Sequence, residues 1–276
     1  MRETISSTSN KQIKNVMALQ RKAKTRKEQG FLVVEGVRAA REVPVSMMKQ
    51  IFYTDDVIKE SAINRWLEDV ERQNNQVQIF RCSQDAFQAM SDTKTPQGII
   101  VVSMIPGFND DLIKGNMHGS QSVKHRAKTV MLLETLQDPG NLGTIFRTAE
   151  GAGVDMIIMN RTTVDVYSPK VVRSTMGSIF RVPHIIVDDL SEIVEKLKND
   201  GFDIYAASLK GKKKYTEFDY TNNCGFMIGN EGNGLTDELA GCATDYLIIP
   251  MEGKLESLNA AMAAGLLMYE VHRQRS

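Results

Sequence analysis

The chain has 276 residues, 42% hydrophobic and 25% charged, a composition typical of a globular protein large enough for two ordinary domains. Its 34 Lys and Arg balance 34 Asp and Glu, so bulk charge alone argues against a nucleic-acid partner. No apolar stretch of roughly 18 residues occurs and Met1-Arg-Glu-Thr-Ile-Ser6 lacks the apolar core of a secretory signal, so no membrane partner is expected and a cytoplasmic protein is.

Ser6 to Asn10 offers several helix-capping residues, and Ile13, Val16 and Met17 follow at helical spacing. Residues 1–41 hold ten Lys and Arg against three acids, a local asymmetry of the kind that phosphate binding needs. A solvated basic helix face explains it equally well. The cations in question include Lys11, Lys14, Arg21, Lys22, Arg26, Lys27 and Arg38. Short apolar runs at Phe31–Val34, Gln50–Tyr53, Val77–Phe80 and Gly98–Ser103 alternate with helical patterns, predicting an α/β unit of about four strands. A polar, glycine-containing stretch then predicts a linker at 106–128 between domains 1–105 and 129–276.

From Thr129 the strands become more apolar. Val130–Leu133, Met156–Met159, Ile185–Val187, Ile204–Ala207, Phe226–Ile228 and Tyr246–Ile249 predict a mainly parallel six-stranded sheet covered on both faces. Cys82, Cys224 and Cys242 have no metal-ligand spacing, and their odd number fits no closed disulfide framework. His118, His125, His184 and His272 are as scattered, so no metal is expected.

Three segments carry the chemistry. After the first of these six strands, Asp138-Pro-Gly140 reads as a turn, Asn141 as a helix N-cap, and Arg147 as a cation nearly two turns along, among the small residues Gly143, Ala149 and Gly151. After Phe226–Ile228 comes Gly229-Asn-Glu231-Gly-Asn-Gly234-Leu, whose glycine order differs from the dinucleotide fingerprint and which lacks the Lys-Ser/Thr ending of a Walker loop. A structural turn accounts for those glycines but not for Glu231. After Tyr246–Ile249 comes Pro250-Met-Glu252-Gly-Lys-Leu-Glu256-Ser257-Leu258-Asn259, in which Ser257 is either functional or a helix N-cap, while Glu252 and Glu256 read as solvated.

Taken together, Asn141-x-Gly143-x-x-x-Arg147-Thr-Ala, Gly229-Asn-Glu231-Gly-x-Gly234-Leu and Ile249-Pro-Met251 followed by Ser257-Leu-Asn259 resemble, in order and spacing, the three motifs of the SpoU/TrmH RNA ribose methyltransferases. Ser168-Pro-Lys170 and Arg173-Ser-Thr-Met-Gly177 resemble that family's central segment, so the likeness covers about residues 129–276. Asn10-Lys-Gln-Ile-Lys14 and Phe31-Leu-Val-Val-Glu35-Gly36 are similar to the substrate-binding domain of its ribosomal branch, which resembles ribosomal-protein-like kink-turn binders.

The resemblance implies a SPOUT fold with a deep trefoil knot, a homodimer with active sites near its interface, and S-adenosylmethionine as cofactor. It implies cofactor contacts around Leu209, Gly229, Ile249 and Leu258, and close packing of the last helix through Ala260, Ala261, Ala263, Ala264 and Gly265. The family usually continues Ser-Leu-Asn with Val-Ser, so Ala260-Ala261 is a departure. The implied reaction is methylation of a ribose 2′-hydroxyl, with Asn141, Arg147, Glu231, Ser257 and Asn259 as catalytic candidates. Family accounts often make the motif-one Arg a base, but a guanidinium is almost always charged, which favours Arg147 as a clamp on phosphate and alkoxide. Ser257 would bond the 2′-oxygen or Arg147, Asn259 would support the last loop, and Glu231 would fix Arg147 or Asn141.

The added N-terminal domain favours structured ribosomal RNA, with 23S RNA the expected target, while the Lys210-Gly-Lys-Lys-Lys214 cluster near the expected cofactor pocket reads either as a grip on RNA backbone or as a solvated loop. A transfer-RNA guanosine 2′-O-methyltransferase and a thiostrepton-resistance enzyme are alternatives within the class. A non-catalytic RNA-binding assembly factor and a small-molecule α/β enzyme are the alternatives outside it.

Overall fold

The computed structural model describes residues 2–108, 127–255 and 257–276. Most of the expected linker, with His118 and His125, lies outside the described residues, as does Glu256. Contacts divide the chain into two compact units, Met1–Gly107 with Asp165–Phe180, and Phe108–Val164 with Arg181–Ser276.

The first unit carries strands β1 (Glu3–Ile5), β2 (Phe31–Glu35), β3 (Met48–Tyr53), β4 (Gln78–Cys82) and β5 (Ile99–Met104) in the order β1-β4-β3-β5-β2. Strand β5 runs antiparallel to β2 and β3, while β1, β3 and β4 are mutually parallel. Its helices are α1 (Lys11–Arg21), α2 (Ala23–Gln29), α3 (Val37–Arg41), α4 (Asp55–Ile58), α5 (Ser61–Gln73) and α6 (Gln84–Met90). Asn10 caps α1, its side chain accepting the Gln12 amide at 2.8 Å. Ile13, Val16 and Leu19 share one helical face and pack against Val33, Phe52, Phe80 and Phe87. That packing turns Lys11, Lys14 and Arg21 outward. The sheet has five strands where about four were expected. The addition, β1, has three residues of which only Ile5 points inward, too short a run for periodicity to reveal.

In the second unit, strands β6 (Thr129–Leu133), β7 (Met156–Asn160), β8 (His184–Val187), β9 (Asp203–Ala207), β10 (Lys213–Lys214), β11 (Cys224–Ile228) and β12 (Asp245–Ile248) pair in parallel in the order β10-β12-β9-β11-β6-β7-β8. Helices α7 (Pro139–Ala152), α9 (Leu190–Asn199), α10 (Asp237–Gly241) and α11 (Ala260–Arg275) belong to this unit. All residues of β6 and β11 are buried, as expected of central strands covered on both faces. Seven strands stand where six were expected. The seventh, β10, is a two-residue lysine strand pairing with the end of β12, with no apolar residue to announce it.

The chain steps outward from β6 through β7 to β8, then resumes on the other side with β9, fills the gap with β11 and ends at β12. Such a reversal opens a crevice at the C-terminal ends of the central strands, where open parallel sheets take ligands. Helix α11 returns from β12 to pack on α7 and β11, burying Ala260, Ala261, Ala264, Leu267, Met268 and Val271.

The remaining helix, α8 (Pro169–Thr175), lies within 129–276 in sequence but groups by contacts with the first unit. It packs on β2, and Arg173 donates to Asp92 at 2.8 Å. Asp165, just before it, pairs with Arg26. Among the described residues no helix is long and apolar enough to cross a membrane, and no His, Cys, Asp and Glu cluster could hold a metal.

Candidate active site

Loop 134–138 leaves β6 and enters α7 through Asp138, whose carboxylate caps the helix by accepting the Asn141 amide at 2.8 Å. Pro139 then occupies the first turn, where its fixed φ suits the helix and its missing N–H costs no hydrogen bond. Asn141 is therefore not the N-cap expected from the sequence but the third helical residue. Its side chain is free for other work.

That work is to join two distant loops. Asn141 Nδ2 donates to Glu231 Oε1 at 3.0 Å, and Asn141 Oδ1 accepts Asn259 Nδ2 at 2.8 Å. Glu231 also accepts the amides of Gln137 at 3.0 Å and Asp138 at 2.9 Å. Asn259 Oδ1 caps α11 by accepting the amides of Ala261 at 2.9 Å and Met262 at 3.3 Å. The capping role considered for Ser257 thus falls to Asn259. Burial works to raise the Glu231 pKa, but the Gln137 amide, the Asn141 side chain and the Asp138 amide more than offset it and hold the carboxyl below its ordinary value.

Arg147 does not join this patch. Six residues beyond Asn141, it sits about 9 Å along the helix and about 120° around it. It is exposed, and among the described residues it has no hydrogen-bond or ion-pair partner. Of the two partners expected for Glu231, the carboxylate takes Asn141.

Beside the network lies a cavity of 430 Å³ formed by the loops after β9, β11 and β12. Leu209, Gly229, Ile249 and Leu258 all line it, and so does Ser257. Lys210, from the basic cluster singled out in the sequence, lines it too, as do Asn230, Asp237 and Met251, to which the sequence assigns no cofactor contact. Lys210 and Asp237 pair at 2.6 Å. Their separation in sequence left no signal, whereas Asn230 and Met251 sit inside the recognised motifs. Backbone closeness shapes the cavity. A Cβ on Gly229 would stand 2.1 Å from the Gly234 carbonyl carbon, so no other residue fits there without moving the loop. Asn230 Oδ1 accepts the amides of Gly232 and Asn233, and Gly234 closes the turn at φ +69°.

In the first unit Lys11, Lys14, Arg21, Lys22, Lys27 and Arg38 are exposed. Arg26 is not: it is 5% exposed, donates to the carbonyls of Leu19 and Gln20, and pairs with Asp165. It leaves the set of phosphate-contacting candidates because its guanidinium is committed inside the unit.

The profile of the SpoU rRNA Methylase family matches residues 128–269, and that of the MRM3-like substrate binding domain matches residues 10–101. The Bacillus subtilis (strain 168) protein named 23S rRNA (guanosine(2553)-2'-O)-methyltransferase RlmP is 32% identical over 269 residues, covering 97% of this chain and 98% of its own. The structure of an AdoMet-bound rRNA methyltransferase from Sinorhizobium meliloti aligns with a TM-score of 0.83 and 26% identity over 98% of this chain and 97% of that one. The SpoU methyltransferase AviRb from Streptomyces viridochromogenes, in complex with AdoMet, gives 0.80 and 27% over 96% and 98%. On a family profile spanning more than half of its length and a relative matched nearly end to end, the chain belongs to the SpoU rRNA methylase family.

Proposed function

We propose that the protein methylates a ribose 2′-hydroxyl of structured ribosomal RNA, most specifically 23S RNA, using S-adenosylmethionine, and that it works as a homodimer in the cytoplasm. The observation that carries this reading is the meeting of three motif loops at one crevice, with Asn141, Glu231 and Asn259 hydrogen-bonded into a single network beside the cavity. The relative's name supports the choice of a 23S substrate.

The cavity fits the cofactor. Its 430 Å³ falls within the about 300–1,000 Å³ usual for small-molecule sites. Leu209, Ile249 and Leu258 offer apolar surface for a purine, and the Gly229–Gly234 loop offers backbone polar groups at close approach. When bound, S-adenosylmethionine supplies an electrophilic methyl group.

The protein's own residues orient the reactants. Glu231, with three donors already on its carboxylate and its pKa held low, is a weak base, and it acts by fixing Asn141 and the entry to α7. Asn259 ties the same network to α11 and so sets the 249–258 loop, which carries Ser257 to the cavity. Arg147 holds the phosphate next to the reacting ribose and stabilises the negative charge that grows on the 2′-oxygen as its proton passes to solvent water, because a guanidinium stays charged and its fork matches phosphate oxygens. Ser257 hydrogen-bonds the 2′-oxygen.

Homodimerisation supplies what one chain lacks, since Arg147 stands on a different face of α7 from Asn141. On α11, packed beside α7, Met262 and Tyr269 lie seven residues apart on one face and are 59% and 51% exposed. A second copy covering them would bring its own groups to Arg147. The trefoil knot of the SPOUT fold is proposed from the resemblance of the three motifs. Residues 1–105 serve as the RNA-binding domain through Lys11, Lys14, Arg21, Lys22, Lys27 and Arg38, residues 106–128 as linker, and residues 129–276 as the methyltransferase domain.

The test is transfer of labelled methyl from S-adenosylmethionine to ribosomal RNA from a host lacking the gene. The expected result is incorporation by the natural protein and a loss of about a hundredfold or more in Arg147→Ala. Arg147→Lys recovers little, because an ammonium cannot form the bidentate contact. A near-normal rate in Arg147→Lys would overturn the clamp, and absence of incorporation with cofactor bound would overturn the enzymatic reading.

A further inference from the structure

Glu134 is the first residue after β6, 8% exposed, and lies in none of the three motifs. It touches both ends of loop 229–235. Its backbone amide donates to the carbonyl of Ile228, just before Gly229, at 2.9 Å. Its carboxylate accepts the Thr236 amide on Oε2 at 2.8 Å and the Thr236 hydroxyl on Oε1 at 2.7 Å. Among the described residues no cation balances the carboxylate, so Thr236 alone supplies its donors. Thr236 in turn accepts the Leu239 amide at 3.2 Å and caps α10.

The neighbouring backbone is shaped for the same purpose. Thr135 adopts φ +56°, a left-handed conformation that a β-branched residue rarely takes. In that conformation its carbonyl accepts Asn230 Nδ2 at 2.9 Å, while its amide is held by Asn160 Oδ1 at 2.9 Å. Loop 229–235 is therefore attached at its start, its middle and its end to residues 134–141.

We propose that Glu134 is a positioning residue that holds loop 229–235 in its cofactor-binding shape by clasping Thr236. The inference rests on the reading of the cavity as the S-adenosylmethionine site. The carboxylate accepts both Thr236 donors in charge-assisted hydrogen bonds; an amide of the same shape carries no charge and keeps the second contact only if the Thr236 hydroxyl turns from donor to acceptor, so the clasp weakens. Loosening the clasp lowers the fraction of molecules whose loop is competent, and apparent affinity falls by that fraction. Once cofactor is saturating the loop is formed, and the chemical step proceeds as before.

The experiment compares the full-length natural protein, Glu134→Gln and Thr236→Val by calorimetric titration with S-adenosylmethionine and by methyl-transfer kinetics on ribosomal RNA. Glu134→Gln is expected to raise Kd and KM for the cofactor by about tenfold, with kcat at saturation within about threefold and RNA affinity unchanged. Thr236→Val, which loses the hydroxyl bond to Glu134 and with it the cap on α10 but keeps the amide bond to Glu134, is expected to raise them by a smaller factor of about three, and the double variant to raise them by less than the product of the two single effects. Unchanged cofactor affinity in Glu134→Gln, or a fall in kcat in place of the rise in KM, would overturn the proposal. Should Glu134→Gln not fold, Thr236→Val carries the test, and natural affinity there would overturn it. Failure of the natural protein to bind S-adenosylmethionine would instead overturn the cofactor reading itself.

Discussion

The Glu231 carboxylate accepts hydrogen bonds from two amides and from Asn141, and this predicts how the site responds to acid. Its folded pKa is held below the ordinary glutamate value, so its contribution to stability is present above the unfolded pKa and lost as pH falls through the folded one. Thermal denaturation from about pH 6 to about pH 3 should therefore show a steeper fall in Tm for the natural protein than for Glu231→Gln. Parallel falls would show that the network does not hold the carboxylate ionised. Asn141, Glu231 and Asn259, which the structure joins in one network, were singled out by the resemblance of their motifs, whereas spacing alone made Asn141 a helix cap. The burial of Arg26 was not legible, since its partner Asp165 is 139 residues away and a charge in a basic run reads as solvated. Glu134 was also hidden: one acid after a strand says nothing about a threonine 102 residues later.

Helices and strands were legible where burial imposes a long pattern, and misread where a cap or an edge decides. The all-buried strands β6 and β11 stood out as apolar runs, whereas β1 and β10 are short edge strands with few inward residues. The start of α7 was placed too late because Asp-Pro-Gly is a common turn as well as a helix entry, and only the Asp138 carboxylate on the Asn141 amide decides between them. Helix α11 carries a prediction of its own. Its buried small residues seat it against α7, while Met262 and Tyr269 remain on the outer face, the one proposed above to meet a second copy. A glutamate at Tyr269 should place charge on the proposed dimer surface, giving the mass of one chain in light scattering and loss of methyl transfer, with circular dichroism unchanged. A retained dimer would remove α11 from the interface.

In the molecule as a whole, zero net charge conceals an uneven distribution of charge between two α/β units. The first concentrates exposed cations on its opening helices, and the second gathers the motif loops at the reversal of a parallel sheet. Alternating strands and helices predict units that are continuous in sequence, whereas contacts group Asp165–Phe180 with the first, where Arg26 and Asp92 supply its ion-pair partners. Periodicity cannot reveal such an exchange, and it cannot reveal the proposed knot, because both depend on which distant segments meet. The proposed reaction delivers the methyl group to a ribose oxygen. The most direct measurement is mass spectrometry of nucleosides released from ribosomal RNA after incubation with the protein and isotopically labelled S-adenosylmethionine. Label on the ribose of one 2′-O-methylated nucleoside is the predicted result; label on a base, or none on RNA while the cofactor binds, would contradict it.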